Sequence, residues 1–226
     1  MSNFRTWSLT KLNKRFGLNR LRTMPEIEAW EKEAVFPLSD YDTYFLKNSQ
    51  DLLADNVFTW NEEELAQNFI GPLFSWLKFS SKHANIFNER SFVGVVEGEE
   101  LSGEPDAIIA SGHDEPEKPY FCFHEYKKES PPLSPQIGGI KGGGDPAGQC
   151  LAAMLVAQEI NEHKYPVFGI YVVGQNWYFV VLKGKDYTIS PSFSAISDEI
   201  YPIYQRLLWL KQTILDWIQV ELKIEN

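Results

Sequence analysis

Tyr120-Phe121-Cys122-Phe123-His124-Glu125-Tyr126-Lys127-Lys128 is the stretch whose reading decides the fold. Aromatic and small apolar side chains make its first half a buried strand. Alternate side chains of a strand share a face, so Phe121, Phe123, Glu125 and Lys127 are expected on one side. A carboxylate and an ammonium then continue a row begun by two phenylalanines, and charges there are costly unless partnered. Such a conflict between pattern and chemistry marks a candidate functional site. A lone Glu-x-Lys is more simply a salt bridge at a fraying strand end, so the flanking residues have to decide.

Upstream, Thr59 is a candidate cap for a helix over about residues 61–78. Glu62, Leu65, Ala66, Phe69, Ile70, Leu73 and Leu77 fall on one stripe of it, with Glu62 the acid on an apolar face. An acid in a first turn is also favoured by the helix dipole alone. From Phe87 the period changes to two. Residues 87–97 and 105–111 read as the strands of a hairpin joined by the acidic stretch 97–104. Asp106 follows Pro105 at the start of the apolar run Ala107-Ile108-Ile109-Ala110.

Downstream, residues 129–148 read as a loop rich in Pro and Gly, and loops of that length usually carry function or mobility. Asp145 and Pro146 make an N-cap and N1 pair for a helix with Gln149 in its first turn. Strands over 167–173 and 177–182 follow, joined by Gly174-Gln175-Asn176. A long helix over 196–222 has apolar residues on more than one stripe, which predicts burial on several sides or at a subunit contact.

Residues 1–23 carry Arg5, Lys11, Lys14, Arg15, Arg20 and Arg22 and no acid. Ser8 and Gly17 bracket a short helix with Leu9, Leu12 and Phe16 inside; further helices start near Pro25 and Asp40. Residues 1–58 therefore read as a helical arm or cap, and 59–226 as the main domain. The basic start either touches phosphates or is simply solvated.

The chain of 226 residues, 43% hydrophobic and 23% charged, is long enough for one sizeable core. No apolar run approaches the roughly 20 residues that span a bilayer, and no signal-peptide core opens the sequence. Cys122 and Cys150 are its two cysteines, which fits a reducing cytoplasm rather than a disulfide framework. A net charge of −10 argues against a strong sequence-independent grip on nucleic acid, though not against a local basic groove.

In order, the chemistry-bearing elements are a helix with Glu62, a hairpin with Asp106, a strand with Glu125 and Lys127, a helix with Gln149, and two strands. This order resembles the PD-(D/E)XK nuclease superfamily. The residues that carry the resemblance are Glu62, the Pro105-Asp106 pair, the Glu125-Tyr126-Lys127 triplet and Gln149. The stretches NEEELAQNFIGPLF (61–74) and GEPDAII (103–109) also look like the nuclease domain of type I restriction enzyme R subunits. The resemblance covers roughly residues 60–185. It implies an α/β, restriction-endonuclease-like mixed central sheet flanked by helices, with an N-terminal helical extension. It also implies DNA as the substrate, with a homodimer as the arrangement that cuts two strands and a partner protein as one means of delivering DNA to so acidic a chain. No membrane role is expected.

The residue chemistry agrees. Phosphodiester hydrolysis needs charge compensation and an activated water. Hard oxygen donors from Asp106, Glu125 and the Tyr126 carbonyl suit Mg²⁺ or Mn²⁺ rather than zinc, with Glu62 on a second metal or, through water, on the first. Lys127 is the candidate for positioning or deprotonating the attacking water. By family analogy Gln149 orients the site or contacts the substrate; otherwise it is a polar residue at a helix N-terminus. A nuclease fold that binds or assembles without turnover is the alternative. The glycine run lacks the Gly-Lys-Ser/Thr ending of a phosphate loop. Cys122 and His124 share a strand face, but no neighbouring Cys/His pair completes a four-ligand metal site. His113-Asp114-Glu115 reads as a solvated turn.

Overall fold

Local sequence signals start most of the helices. A computed structural model describes residues 2–129 and 145–224. Strand β1 (Ser2–Asn3) runs into a 3-10 turn, Phe4–Thr6, and then α1 (Leu9–Phe16). Ser8 caps α1 by accepting from the Lys11 amide, and Gly17 ends it in the left-handed region at φ 62°. Next come β2 (Asn19–Arg20), α2 (Pro25–Lys32) with proline in its first turn, and α3 (Asp40–Asn56), which Ser39 and Asp42 close with a reciprocal capping box.

Asn61, not Thr59, caps the following helix: its Oδ1 accepts from Glu64 N at 2.8 Å, and the Glu64 carboxylate returns a bond to Asn61 N. The helix is continuous but not uniform. It consists of α4 (Glu62–Leu65), a π-helical segment Ala66–Ile70, and α5 (Gly71–Trp76). Pro72 has no N–H and clashes with an ordinary α-helical carbonyl four residues back. The wider turn, in which Gly71 N–H reaches the Ala66 carbonyl, removes that conflict.

The expected 87–97/105–111 hairpin divides into two nested pairs. Strand β3 (Asn85–Asn88) pairs antiparallel with β6 (Ala107–Ser111) in the main sheet. Between them, β4 (Phe92–Val96) and β5 (Glu99–Gly103) form their own hairpin, with β1 on its far edge. The stretch 97–104 is thus mostly strand rather than connection. Glu97 at φ 47° and Gly98 at φ 79° make a two-residue turn whose twist suits a hairpin, while Leu101 is fully buried.

Strand β7 (Glu117–Lys127) is followed, beyond the undescribed residues 130–144, by α6 (Pro146–Ile160). Then come β8 (Val167–Val173), β9 (Asn176–Lys183), β10 (Asp186–Ile189), β11 (Phe193–Ser194) and α7 (Ile200–Ile224). The larger sheet has eight strands in the order β2-β10-β9-β8-β7-β6-β3, with β11 added on β9. That exceeds the five strands legible in the periodicity (the hairpin pair, the Glu125 strand and the two later strands), because β2, β10 and β11 are two to four residues long. Strands β7 and β8 are parallel, so α6 lies in the crossover between them.

Packing differs on the two faces of this mixed α/β sheet. Helices α2 to α5 and α7 cover one face around Trp30, Phe69, Phe121, Phe168 and Trp177. The other face holds α1, α6 and the three-stranded sheet around Phe16, Phe92, Phe123 and Leu151. Residues 1–58 therefore contribute to both layers. Phe4, Trp7, Leu12 and Phe16 are buried. Every residue of α6 from Ala147 to Gln158 is buried, as expected for a helix held between two sheets. No described helix is long and apolar enough to cross a membrane.

The alternation expected along β7 breaks at Phe121. Cys122 is opposite Ile109 and Tyr120 opposite Ala110, which leaves Phe121 as an extra residue, a β-bulge. Phe121 consequently packs near Trp217 on the α7 side, whereas Phe123 packs with Phe92 on the α6 side. The two phenylalanines do not share a face. Asp145 also departs from expectation. Its side chain makes no cap bond within α6 and instead accepts from Leu9 N at 3.0 Å, tying the arm to α6.

The arm's backbone comes close to α6 at Gly148, where an added Cβ would lie 2.6 Å from Trp7 O and Ser8 Cα. Backbone cannot yield as a side chain can. Gly148→Ala is expected to cost about 1–3 kcal/mol, at about 2–4 °C of melting temperature per kcal/mol. An unchanged melting curve by circular dichroism would show that the arm is not fixed at this point.

Candidate active site

Strand register builds the site. Ala107 is opposite His124 in the β6–β7 ladder, and one further step sets Asp106 opposite Glu125. Asp106 Oδ2 accepts from Tyr126 N at 2.5 Å, which fixes its carboxylate against the edge of β7. Lys127 returns over its own strand: its Nζ lies 2.8 Å from Glu125 Oε1, 2.8 Å from Tyr126 O and 3.4 Å from Glu62 Oε2. Glu62 stands at the first position of α4, so the Asn61 cap that starts the helix also delivers this carboxylate.

Of the candidate residues, Asp106, Glu125, Tyr126, Lys127 and Glu62 are brought together. Gln149 is buried in the first turn of α6, with its amide nitrogen unpartnered among the described residues and no hydrogen bond to either carboxylate. Lys141 and the glycines of 138–144 lie outside the described residues.

Burial governs the electrostatics. Glu125 is pushed up to about 7, first by desolvation and then by the nearby Asp106 charge; Lys127 and Arg5 oppose the shift. Asp106 is raised as well, by burial and by the Glu62 and Glu89 charges against the Tyr126 N–H and Lys127. For Lys127 burial works against the charge, but Glu125, Asp106 and Glu62 together leave its pKa raised. Beneath the strand, buried His124 is lowered to about 3 by desolvation, and its Nδ1 meets the Tyr126 hydroxyl at 2.9 Å. Cys122 on the same face is buried, with its thiol pushed well up.

Among the described residues no group of three His, Cys, Asp or Glu side chains is placed to hold a metal ion. The donors present are the buried Glu125 carboxylate, whose pKa the half-buried Asp106 charge raises, Asp106 itself, and the Tyr126 carbonyl. Hard oxygens that repel one another suit a small divalent cation. Glu62 is engaged by Lys127 and its side chain is half exposed, so it adds charge rather than a third carboxylate on the pair.

A cleft of about 920 Å³ opens over Asp106 and Tyr126, between the α4–α5 helix and β3. Arg5 of the arm lines it, a residue that its place in a scattered basic run did not single out. Two acids of the 97–104 stretch, Glu97 and Glu99, face the arm. Arg15 binds Glu99 at 2.7 Å and Glu97 at 3.9 Å, and Lys185 also pairs with Glu97. Arg15 is thus paired within the fold rather than available to a polyanion.

No protein-family model matches the chain, and no curated protein does.

Between pH 4.5 and about 7 the folded protein keeps a proton on Glu125 that the unfolded chain has released. Its contribution to stability therefore falls as pH rises through that window. Glu125→Gln is expected to flatten this decline, read as the shift of urea midpoint between pH 5 and pH 7.5. Identical shifts in both proteins would mean that Glu125 titrates as it does in an open chain.

Proposed function

We propose that the protein is a divalent-metal-dependent nuclease of the PD-(D/E)XK kind, with a restriction-endonuclease-like core and DNA as its substrate. The observation that carries this reading is the meeting of Asp106, Glu125, the Tyr126 carbonyl and Lys127 at one end of the β6–β7 pair. The order of the α4–α5 helix, β3, β6, β7, α6 and β8, with β7 and β8 parallel, supports it.

Asp106, Glu125 and the Tyr126 carbonyl would hold Mg²⁺ or Mn²⁺. Such an ion, when bound, polarises the phosphoryl group and lowers the pKa of a coordinated water. Asp106 is oriented for the task by the Tyr126 amide. Lys127, kept cationic by its carboxylate neighbours, sets positive charge where the phosphorane becomes more negative and orients the attacking water. Glu62 holds the Lys127 ammonium from the helix side. Four carboxylates in or beside the cleft favour one alternative, a nuclease-fold module that binds or assembles without turnover.

Asp106→Ala and Lys127→Ala are each expected to reduce metal-dependent cleavage by at least about 10²-fold, the scale of losing one preorganised charge-stabilising group. Both variants should retain the far-ultraviolet circular dichroism of the parent. Glu62→Ala should lose less, because its contact is through Lys127. Gel assays with Mg²⁺ and Mn²⁺ on single- and double-stranded DNA and RNA test this. Absence of cleavage by wild type under all of them would transfer support to the non-catalytic module.

A further inference from the structure

We infer, resting on the nuclease reading of this site, that the cleft takes an unpaired nucleic-acid segment, with Arg5 and Lys78 as its phosphate-contacting residues. The cleft's 920 Å³ falls within the roughly 300–1,000 Å³ of pockets that enclose a small organic ligand. It is thus matched to something that enters, rather than to a duplex lying across a surface. Part of its lining is apolar, from the half-buried Ile86 and the edges of the otherwise buried Phe74 and Phe79. Apolar surface is of no use to a phosphate, but it suits a base or sugar. A base offers those faces only when unstacked, since a duplex presents its backbone and its groove edges.

Arg5 and Lys78 line the same cleft from two different elements, the arm and the end of α5. Both are exposed, and among the described residues neither side chain has an ion pair or hydrogen bond. Other arm cations are engaged: Arg15 with Glu97 and Glu99, and Lys11 with the Thr6 carbonyl. Backbone irregularity also collects here. Lys78 at φ 50° and Glu89 at φ 51° are non-glycine residues in the left-handed region, and both line the cleft. Such conformations cost about 1–3 kcal/mol each and persist where the surroundings enforce them, commonly at functional sites. The π-helical segment contributes Ala66, Gln67 and Ile70 to the same wall. Because Glu62, Glu63, Glu89 and Asp106 lie in the cleft too, Arg5 and Lys78 supply its attractive point charges for a polyanion.

The test is fluorescence anisotropy with a labelled ten-nucleotide single strand of mixed sequence and its blunt duplex. The protein is Lys127→Ala in Mg²⁺, and, because Lys127 is partly buried, also wild type with Ca²⁺ in place of Mg²⁺. The single strand is expected to bind at least about tenfold tighter than the duplex. Arg5→Ala and Lys78→Ala should each weaken single-strand binding about three- to tenfold and reduce the salt slope by about 0.7, the value of one phosphate contact on a single strand. Arg5→Lys should retain most of the affinity. Equal or tighter duplex binding, no measurable binding of either form, or variants with the parent's affinity and salt slope would overturn the inference. Wild-type cleavage, assayed separately, distinguishes the two failures. Duplex cleavage with tighter duplex binding leaves the nuclease reading standing without this one. Selective single-strand binding without cleavage supports this inference and removes the nuclease reading.

Discussion

Two carboxylates partly withdrawn from water beside one ammonium form the constraint on which the rest of the site depends. An ion taken from water into a protein interior loses several kcal/mol of solvation even after relaxation. Asp106 and Glu125 both bear that loss and repel each other as well. Lys127 and the Tyr126 amide are the groups that offset it, and both belong to the same strand as Glu125. The arrangement therefore favours function over stability: an apolar strand end of the same volume would be cheaper to bury.

That constraint explains why the surrounding structure is rigid. Lys127 can reach Glu125, Glu62 and the Tyr126 carbonyl at once only if α4 starts at a defined place over the end of β7. The reciprocal Asn61–Glu64 cap sets that start, and the π turn absorbs Pro72 without displacing it. Below the strand, α6 is held between two sheets and buried along nearly its whole length, so β7 and β8 have little freedom to slide. The arm is joined to this layer through the Asp145–Leu9 contact and the close approach at Gly148. Arg5 thereby stands at the cleft as a by-product of where the cap packs.

The net charge of −10 has a structural counterpart. Several cations that look available in the sequence are consumed within the fold, Arg15 and Lys185 against Glu97 among them. Among the described residues, the cations that line the cleft are Arg5 and Lys78, two point charges rather than a field. Recognition of a polyanion would then rest on apolar contact and a bound cation more than on long-range attraction, which salt would screen within about 10 Å in any case.

Local chemistry alone was enough for the helix starts near Ser8, Pro25 and Asp40, the Gly17 stop, the strands read at 105–111, 167–173 and 177–182, and the candidacy of Glu125 and Lys127. Each of these depends on residues within one turn or one strand, where caps and alternation act. Tertiary structure decided the bulge at Phe121, which puts the two phenylalanines of β7 into different cores. It decided the nesting of β4–β5 inside β3–β6, the recruitment of the short strands β10 and, at the edge, β2, and the diversion of Asp145 from its own helix to Leu9. It also decided that Glu62 meets Lys127 across 65 positions and that Arg5 reaches the cleft while Gln149 does not bond to the carboxylates. These outcomes come from contacts between distant segments competing for the same surface, and a periodicity read along one strand or helix carries no trace of its partner.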